Sequence, residues 1–120
     1  MAPTTLVNQV TTTTPYGRNP DIAGYPVHVC EMLATLDGTT YAERVAVNNP
    51  KNVLAAKRAI KKAFQTQING KGFSIVEVVS SCPTYWGMSP REALDWMEDG
   101  MFKTFPLGIY ADKTKGESND

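Results

Sequence analysis

Cysteine is scarce in this chain of 120 residues: there are two, Cys30 and Cys82, with one histidine, His28. Two thiols without C-x-x-C spacing exclude a disulfide framework, a structural zinc site and a cysteine-ligated cluster built by this chain alone. An excess of either charge is also lacking, since 12 Lys and Arg balance 12 Asp and Glu. That balance removes the whole-molecule attraction of a general nucleic-acid or anionic-membrane binder, so neither partner is expected. No apolar run nears the roughly 20 residues that span a bilayer. The opening Met1-Ala-Pro-Thr-Thr5 has neither the basic nor the apolar region of a signal peptide, and the default compartment is the cytoplasm. A Walker-type loop and a G-x-G-x-x-G turn are missing as well.

What remains is an ordinary globular composition, 42% hydrophobic and 20% charged, of a length that allows one core. Residues 1–24 have no helical or strand period. Pro3, Pro15, Gly17, Pro20 and Gly24 punctuate a threonine-rich stretch that includes Thr11 to Thr14. This reads as an extended loop, either a frayed N-terminus or a segment that is functional or belongs to a larger context, because structureless loops of that length are uncommon inside compact domains. Residues 25–112 read as a partial α/β domain, and 113–120 as a polar, disordered tail.

Within the domain, Pro26 and the spacing of Val29, Met32, Leu33 and Leu36 predict a helix over 26–36 that stops at Asp37-Gly38. Tyr41 to Val47 predicts a strand. Asn49 as N-cap and Pro50 at the first helical position open the clearest helix, with Val53, Ala56, Ile60, Ala63 and Phe64 on its apolar face and Asn69-Gly70 at its end. Phe73 to Val79 is the strongest strand, β-branched at Ile75, Val76, Val78 and Val79. Its nearly continuous apolar character suits a parallel strand covered on both faces. Strand, helix and strand form a βαβ unit, so the fold class is α/β, with a parallel sheet. A last helix opens at Ser89-Pro90-Arg91-Glu92 as a capping box, with Ala93, Leu94, Met97 and Met101 as its apolar stripe. Two strands leave each outer edge unpaired and rich in valine, as one side of a larger sheet would.

Ligand sites of open α/β sheets lie beyond the carboxyl ends of the strands, which points to Ser80-Ser-Cys-Pro-Thr-Tyr-Trp86. Cys82 there is a nucleophile, a metal or cluster ligand, or a small buried hydrophobe. A thiol nucleophile needs a base within reach, and no spacing brings His28 to it. His28 reads as a packed or surface histidine, and Cys30 as a core or helix-surface thiol. Glu92, Asp95, Glu98 and Asp99 lie off the apolar stripe and read as a solvated face rather than a catalytic carboxylate pair. From Arg44 to Val76 there is no acid, while Lys51, Lys57, Arg58, Lys61, Lys62 and Lys71 fall within the stretch. The basic helix is a solvated face or a dock for an acidic protein such as a ferredoxin. No aromatic residues interleave with its charges to stack bases.

Three segments carry a resemblance. They are Met1-Ala-Pro-Thr-Thr-Leu6 with Gln9 and Thr11 to Arg18; Gly72 to Val78 through Ser81-Cys-Pro-Thr-Tyr-Trp-Gly-Met88; and Pro90 to Leu107-Gly108. Across nearly all of residues 1–112 the chain resembles the C-terminal part of the thiamine-diphosphate-binding beta subunit of 2-oxoacid:ferredoxin oxidoreductases, of the 2-oxoglutarate or branched-chain type. The resemblance implies oxidative decarboxylation of a 2-oxoacid to an acyl-coenzyme A, with electrons passing through a 4Fe–4S cluster to ferredoxin. It implies thiamine diphosphate and Mg2+ in the complete enzyme. Its partners are the upstream part of the beta subunit, an alpha-type subunit and ferredoxin.

Cys82 matches the last of the family's four cluster ligands; the other three have no counterpart here, and Cys30 matches none. The Gly-Asp-Gly motif that holds magnesium and the diphosphate would precede Met1. The chain is therefore expected to bind no cofactor alone and to be inactive by itself, as a split subunit, a truncated frame or a fragment. The segment from Ala2 to Gly17 would line the cofactor and subunit interface of the whole enzyme. The alternative is a non-catalytic fragment, or an interaction module that uses the basic helix.

Overall fold

The computed structural model describes residues 3–114; Met1, Ala2 and residues 115–120, most of the expected tail, lie outside the described residues. The elements run α1 (Pro20–Ala23), α2 (Val29–Ala34), β1 (Thr39–Ala46), α3 (Pro50–Ile68), β2 (Phe73–Val79), α4 (Pro83–Trp86) and α5 (Pro90–Trp96). A π-helical turn (Met97–Met101), α6 (Phe102–Thr104) and β3 (Gly108–Asp112) follow. Among the described residues no helix is long and apolar enough to cross a membrane. Length alone allows one core, but the contacts divide the chain into two compact units. One runs up to His28 and resumes over Ser81–Pro106; the other joins Val29–Ser80 to the residues from Leu107 onward.

The second unit is the α/β part. Asn49 caps α3 as expected, its side chain accepting the Asn52 amide at 2.8 Å, and Pro50 opens the helix. At the other end the Asn69 amide returns to the Gln65 carbonyl at 2.9 Å, and Gly70 continues in the left-handed region at φ 67°. α3 joins β1 to β2, which pair in parallel from Thr39↔Phe73 to Ala46↔Val79. The βαβ unit read from the sequence is therefore present.

The rest of the sheet differs from expectation. β3 pairs antiparallel with the other side of β1, giving a small mixed sheet of order β2-β1-β3. Both edges of β1 are thus filled, and the unpaired edge expected there does not exist. β1 begins two residues earlier than predicted and ends at Ala46, leaving Val47 exposed. β2 has its predicted bounds but is not covered on both faces, since Phe73 and Val78 are 46% and 42% exposed. It is an edge strand among the described residues.

The predicted apolar face of α3 holds at Ala56 and is otherwise rotated. Ala56 and Ala59 are buried and close a core with Val45, against which Val76 packs. Val53, Ile60 and Phe64, expected to face the core, are exposed. Alanines let the helix axis approach the sheet closely, so the bulky side chains fall to one flank.

α2 is shorter than the predicted 26–36 helix, beginning at Val29 and ending at Ala34. Pro26 precedes it, in a segment where the Val27 amide is held by the Pro3 carbonyl at 2.9 Å. In the first unit, Ser89 caps α5 by accepting the Glu92 amide at 3.2 Å, and its hydroxyl also meets the Glu92 carboxylate at 3.0 Å. Ala93, Met97 and Met101 of the predicted stripe are buried and Leu94 is half-buried, while Glu92, Asp95, Glu98 and Asp99 are exposed. The helix widens into the π-turn at Met97, and Gly100 fits there because a Cβ would sit 3.3 Å from the Trp96 ring.

Candidate functional site

The N-terminal segment and the cysteine loop come together within the first unit. Of the segment read as loop, residues 3–24 carry α1, an isolated bridge between Val7 and Arg18, and another between Thr11 and Thr14. The Thr11 and Thr14 hydroxyls meet at 2.6 Å, and the Thr14 hydroxyl donates to the Gln9 carbonyl at 2.9 Å. This closes the tight turn that the run of threonines makes.

Arg18 organises the segment, and the sequence reading passed over that role. Its guanidinium, in a residue 5% exposed, donates to the carbonyls of Gly24 (3.0 Å), Thr5 (2.9 Å), Ala23 (3.1 Å), Tyr25 (3.3 Å) and Pro3 (3.4 Å). A planar fork of donors can serve several carbonyls at once, and here it gathers both ends of the segment around one cation. A charge flanked by Gly17 and Asn19 gives no local sign of this, because its acceptors are backbone atoms.

The threonine turn rests on α4. The Thr12 amide and hydroxyl both donate to the Tyr85 carbonyl at 3.0 Å, and the Thr13 hydroxyl is hydrogen-bonded to the Tyr85 phenol. Cys82 stands immediately before α4, as its N-cap residue, with its carbonyl accepting the Trp86 amide at 3.0 Å. Its thiol is free and the residue exposed. Trp86 in turn packs on Trp96, with ring centroids 4.9 Å apart. The cysteine therefore sits on a short helix held from one side by the threonine turn and from another by a tryptophan pair.

A groove of about 610 Å³ runs beside this assembly, lined among others by Val7, Gln9, Trp86, Met88, Glu92 and Trp96. Its walls are apolar or neutral except for Glu92. Gln9 accepts the Leu6 amide at 2.8 Å through Oε1, while its Nε2 is buried without a hydrogen-bond partner.

The other candidate residues fall elsewhere. His28 stacks against Phe105, ring centroids 4.8 Å apart, as a packed histidine does. Cys30 is fully buried in the second unit, where burial, with Glu77 adding to it, pushes its thiol pKa up to about 11. Such a thiol is inert. Among the described residues no group of three or more His, Cys, Asp or Glu side chains is placed to hold a metal ion. On the basic helix, Lys51, Lys57, Arg58 and Lys61 are exposed, whereas Lys62 pairs with Asp112 at 2.5 Å. Burial pulls the Asp112 carboxyl up, but Lys62 and Thr114 outweigh it and hold its pKa below the ordinary value.

The sequence reading also missed a buried cation of the second unit, Arg44 in β1. Its guanidinium ion-pairs with Glu31 of α2 at 2.5 Å and with Glu77 of β2, and donates to the Tyr110 hydroxyl of β3 at 2.8 Å. The guanidinium carbon also lies 5.0 Å from the centre of the Tyr110 ring. Burial works against its charge, but the two carboxylates outweigh this and keep its pKa above the ordinary arginine value. No substrate-facing role follows from this position; it ties four elements together.

No family profile matches the chain, and no solved structure does. Curated relatives do match. The chain is 45% identical over 114 residues to the ketoisovalerate oxidoreductase subunit VorA of Methanothermobacter thermautotrophicus, covering 95% of this chain and 24% of that one. It is 40% identical over 84 residues to the 2-oxoglutarate synthase subunit KorB of Methanocaldococcus jannaschii, covering 66% and 28%. With the KorB of Methanothermobacter thermautotrophicus the identity is 30% over 123 residues, covering 98% and 39%. The chain thus spans between a quarter and two-fifths of the length of these relatives. Over nearly its whole length it is homologous to a segment of 2-oxoacid oxidoreductase subunits.

Proposed function

We propose that this sequence serves a thiamine-diphosphate-dependent 2-oxoacid:ferredoxin oxidoreductase as the C-terminal part of its beta subunit. The reaction is oxidative decarboxylation of a 2-oxoacid to an acyl-coenzyme A with reduction of ferredoxin, in the cytoplasm. What supports the reading is homology to ketoisovalerate and 2-oxoglutarate enzymes across 95% or more of the chain. The observation that carries the site is an exposed, free Cys82 on a short helix that the threonine turn braces.

The donor set fits one corner of a cluster and no more. Cys82 would supply one thiolate to a 4Fe–4S cluster, whose other ligands must come from polypeptide outside this chain, because Cys30 is buried and inert. The described residues do not fit the diphosphate end of the cofactor: among them the groove offers neither a cation nor a cluster of metal-ligating side chains. Magnesium and diphosphate would then be held by the polypeptide that carries the Gly-Asp-Gly motif. Held by that other polypeptide, thiamine diphosphate would supply the nucleophile and electron sink of the decarboxylation, and a cluster ligated in part by Cys82 would relay electrons. This chain's own part is to hold Cys82 at a fixed position and to wall one side of the assembly with residues 3–17.

Substituting Cys82→Ser in the assembled enzyme tests the site. The expected result is loss of iron from that cluster position and a changed cluster spectrum, with the subunits still co-purifying. Unchanged iron content and spectrum would remove Cys82 from the ligand set.

A further inference from the structure

We infer that Tyr85 and Trp96 are positioning residues for Cys82. Two tethers, one from the threonine turn and one from the π-turn, hold the short helix α4 so that the thiolate meets a cluster in one orientation and the cluster keeps one reduction potential. The inference rests on the reading above that Cys82 is a cluster ligand, and it names the residues that fix it.

α4 cannot fix Cys82 by itself. It has four residues, Pro83–Trp86, and isolated helices shorter than about 12–15 residues are marginal in water. Cys82 makes no side-chain hydrogen bond as its N-cap residue. Local bonds close the far end: Gly87 lies in the left-handed region at φ 67°, and the Met88 amide returns to the Pro83 carbonyl at 2.9 Å. These shape the turn but anchor it to nothing outside 82–88.

The first tether ends on Tyr85. A helix leaves its last carbonyls without a partner in the helix, and here the Tyr85 carbonyl takes both the amide and the hydroxyl of Thr12, at a separation of 73 residues. The phenol of the same residue is bound by the Thr13 hydroxyl. Bonds to two separate groups of one residue fix its rotation as well as its distance. Their anchor is itself closed, because Thr12 and Thr13 lie between the paired hydroxyls of Thr11 and Thr14.

The second tether ends on Trp86, whose amide donates to the Cys82 carbonyl at 3.0 Å. Its ring packs on Trp96 with the planes tilted by 56°. Trp96 is the last residue of α5, where the helix widens into the π-turn. Single π-turns inside helices recur at functional sites. This one brings Gly100 so close to the Trp96 ring that a Cβ there would lie 3.3 Å from it. Trp96 thus links the π-turn to α4.

Neighbours that orient a ligand and shield a cluster from water help to set its potential. With either tether loosened, Cys82 samples several orientations and the cluster several potentials.

The test uses the assembled enzyme. It reads iron content, the electron paramagnetic resonance spectrum and midpoint potential of the cluster in a redox titration, and hydrogen exchange at the Trp86 amide. Thr12→Val/Tyr85→Phe removes the two exposed side-chain bonds of the first tether, and Trp96→Ala removes the second. Each is expected to keep its iron, unlike Cys82→Ser, while the spectrum broadens and the potential shifts. The Trp86 amide should exchange roughly tenfold faster, the equivalent of about one lost hydrogen bond. Trp96→Phe should restore most of both, and Arg91→Ala, an exposed position of α5, should change neither. A parent assembly without iron overturns the cluster-ligand reading and this inference with it. With iron present, this inference alone is overturned if the tether variants match the parent, if Trp96→Phe behaves as Trp96→Ala does, or if Arg91→Ala has the same effect.

Discussion

Replacing Arg44 with alanine is expected to destabilise the sheet unit by about 3 kcal/mol, the lower part of the range for breaking a buried ion pair. The side chain is wholly buried, while those of Glu31 and Glu77 are 35% and 19% exposed. Water reaching the two carboxylates moderates the penalty of leaving them unpaired, which is why the lower figure applies. Arg44 and Glu77 are register partners on neighbouring strands, so their pairing is local to the β1–β2 ladder. Glu31 and Tyr110 bring α2 and β3 to the same guanidinium. Loss of one side chain therefore loosens contacts among four elements. Urea denaturation would show the fall in midpoint. Removing the charges together, as Arg44→Met with Glu31→Gln and Glu77→Gln, should recover much of the loss, because no uncompensated charge then stays in the sheet. A midpoint for Arg44→Ala equal to that of the parent would contradict the assignment.

Replacing Arg18 with alanine should loosen the N-terminal segment by about 2–3 kcal/mol, since the buried Thr5 carbonyl and four partly buried ones lose their donor together. The effect is local. Amides of that segment, such as those of Asn8 and Val27, which are held by the carbonyls of Arg18 and Pro3, should exchange roughly 30- to 150-fold faster. Amides within β1 should change little. Lysine should not rescue, because one ammonium cannot reproduce a planar fork directed at separate carbonyls. The consequence reaches the cysteine loop through Thr12 and Thr13, whose bonds to Tyr85 depend on the segment's shape. Unchanged exchange at Asn8 and Val27 would show that the turn holds itself.

Where structure is written in local chemistry, the sequence reveals it. Asn49, Pro50 and Asn69-Gly70 bound α3 through caps made within a few residues, and the β-branched run fixes both ends of β2. The placement of Cys82 just past a strand follows from the architecture of α/β sheets. Its reading as a cluster ligand comes with the family resemblance.

Features that depend on distant partners were not legible. Gly108-Ile-Tyr-Ala-Asp112 carries little strand signal and becomes β3 only by pairing with β1. Nothing local singles out Arg18 or Arg44, because their acceptors lie far along the chain or on the backbone. The face of α3 was misjudged for a related reason: periodicity weighs bulky residues most, whereas close packing on this sheet is made by Ala56 and Ala59.

The most direct measurement is anaerobic native mass spectrometry of the polypeptide carrying this sequence, isolated from its source, with 2-oxoacid-dependent reduction of a ferredoxin assayed on the same material. The account predicts an assembly with other subunit polypeptide that contains thiamine diphosphate and a 4Fe–4S cluster, and that loses activity when this chain is removed. A chain found alone and metal-free, with the activity residing in assemblies that lack it, would contradict the account.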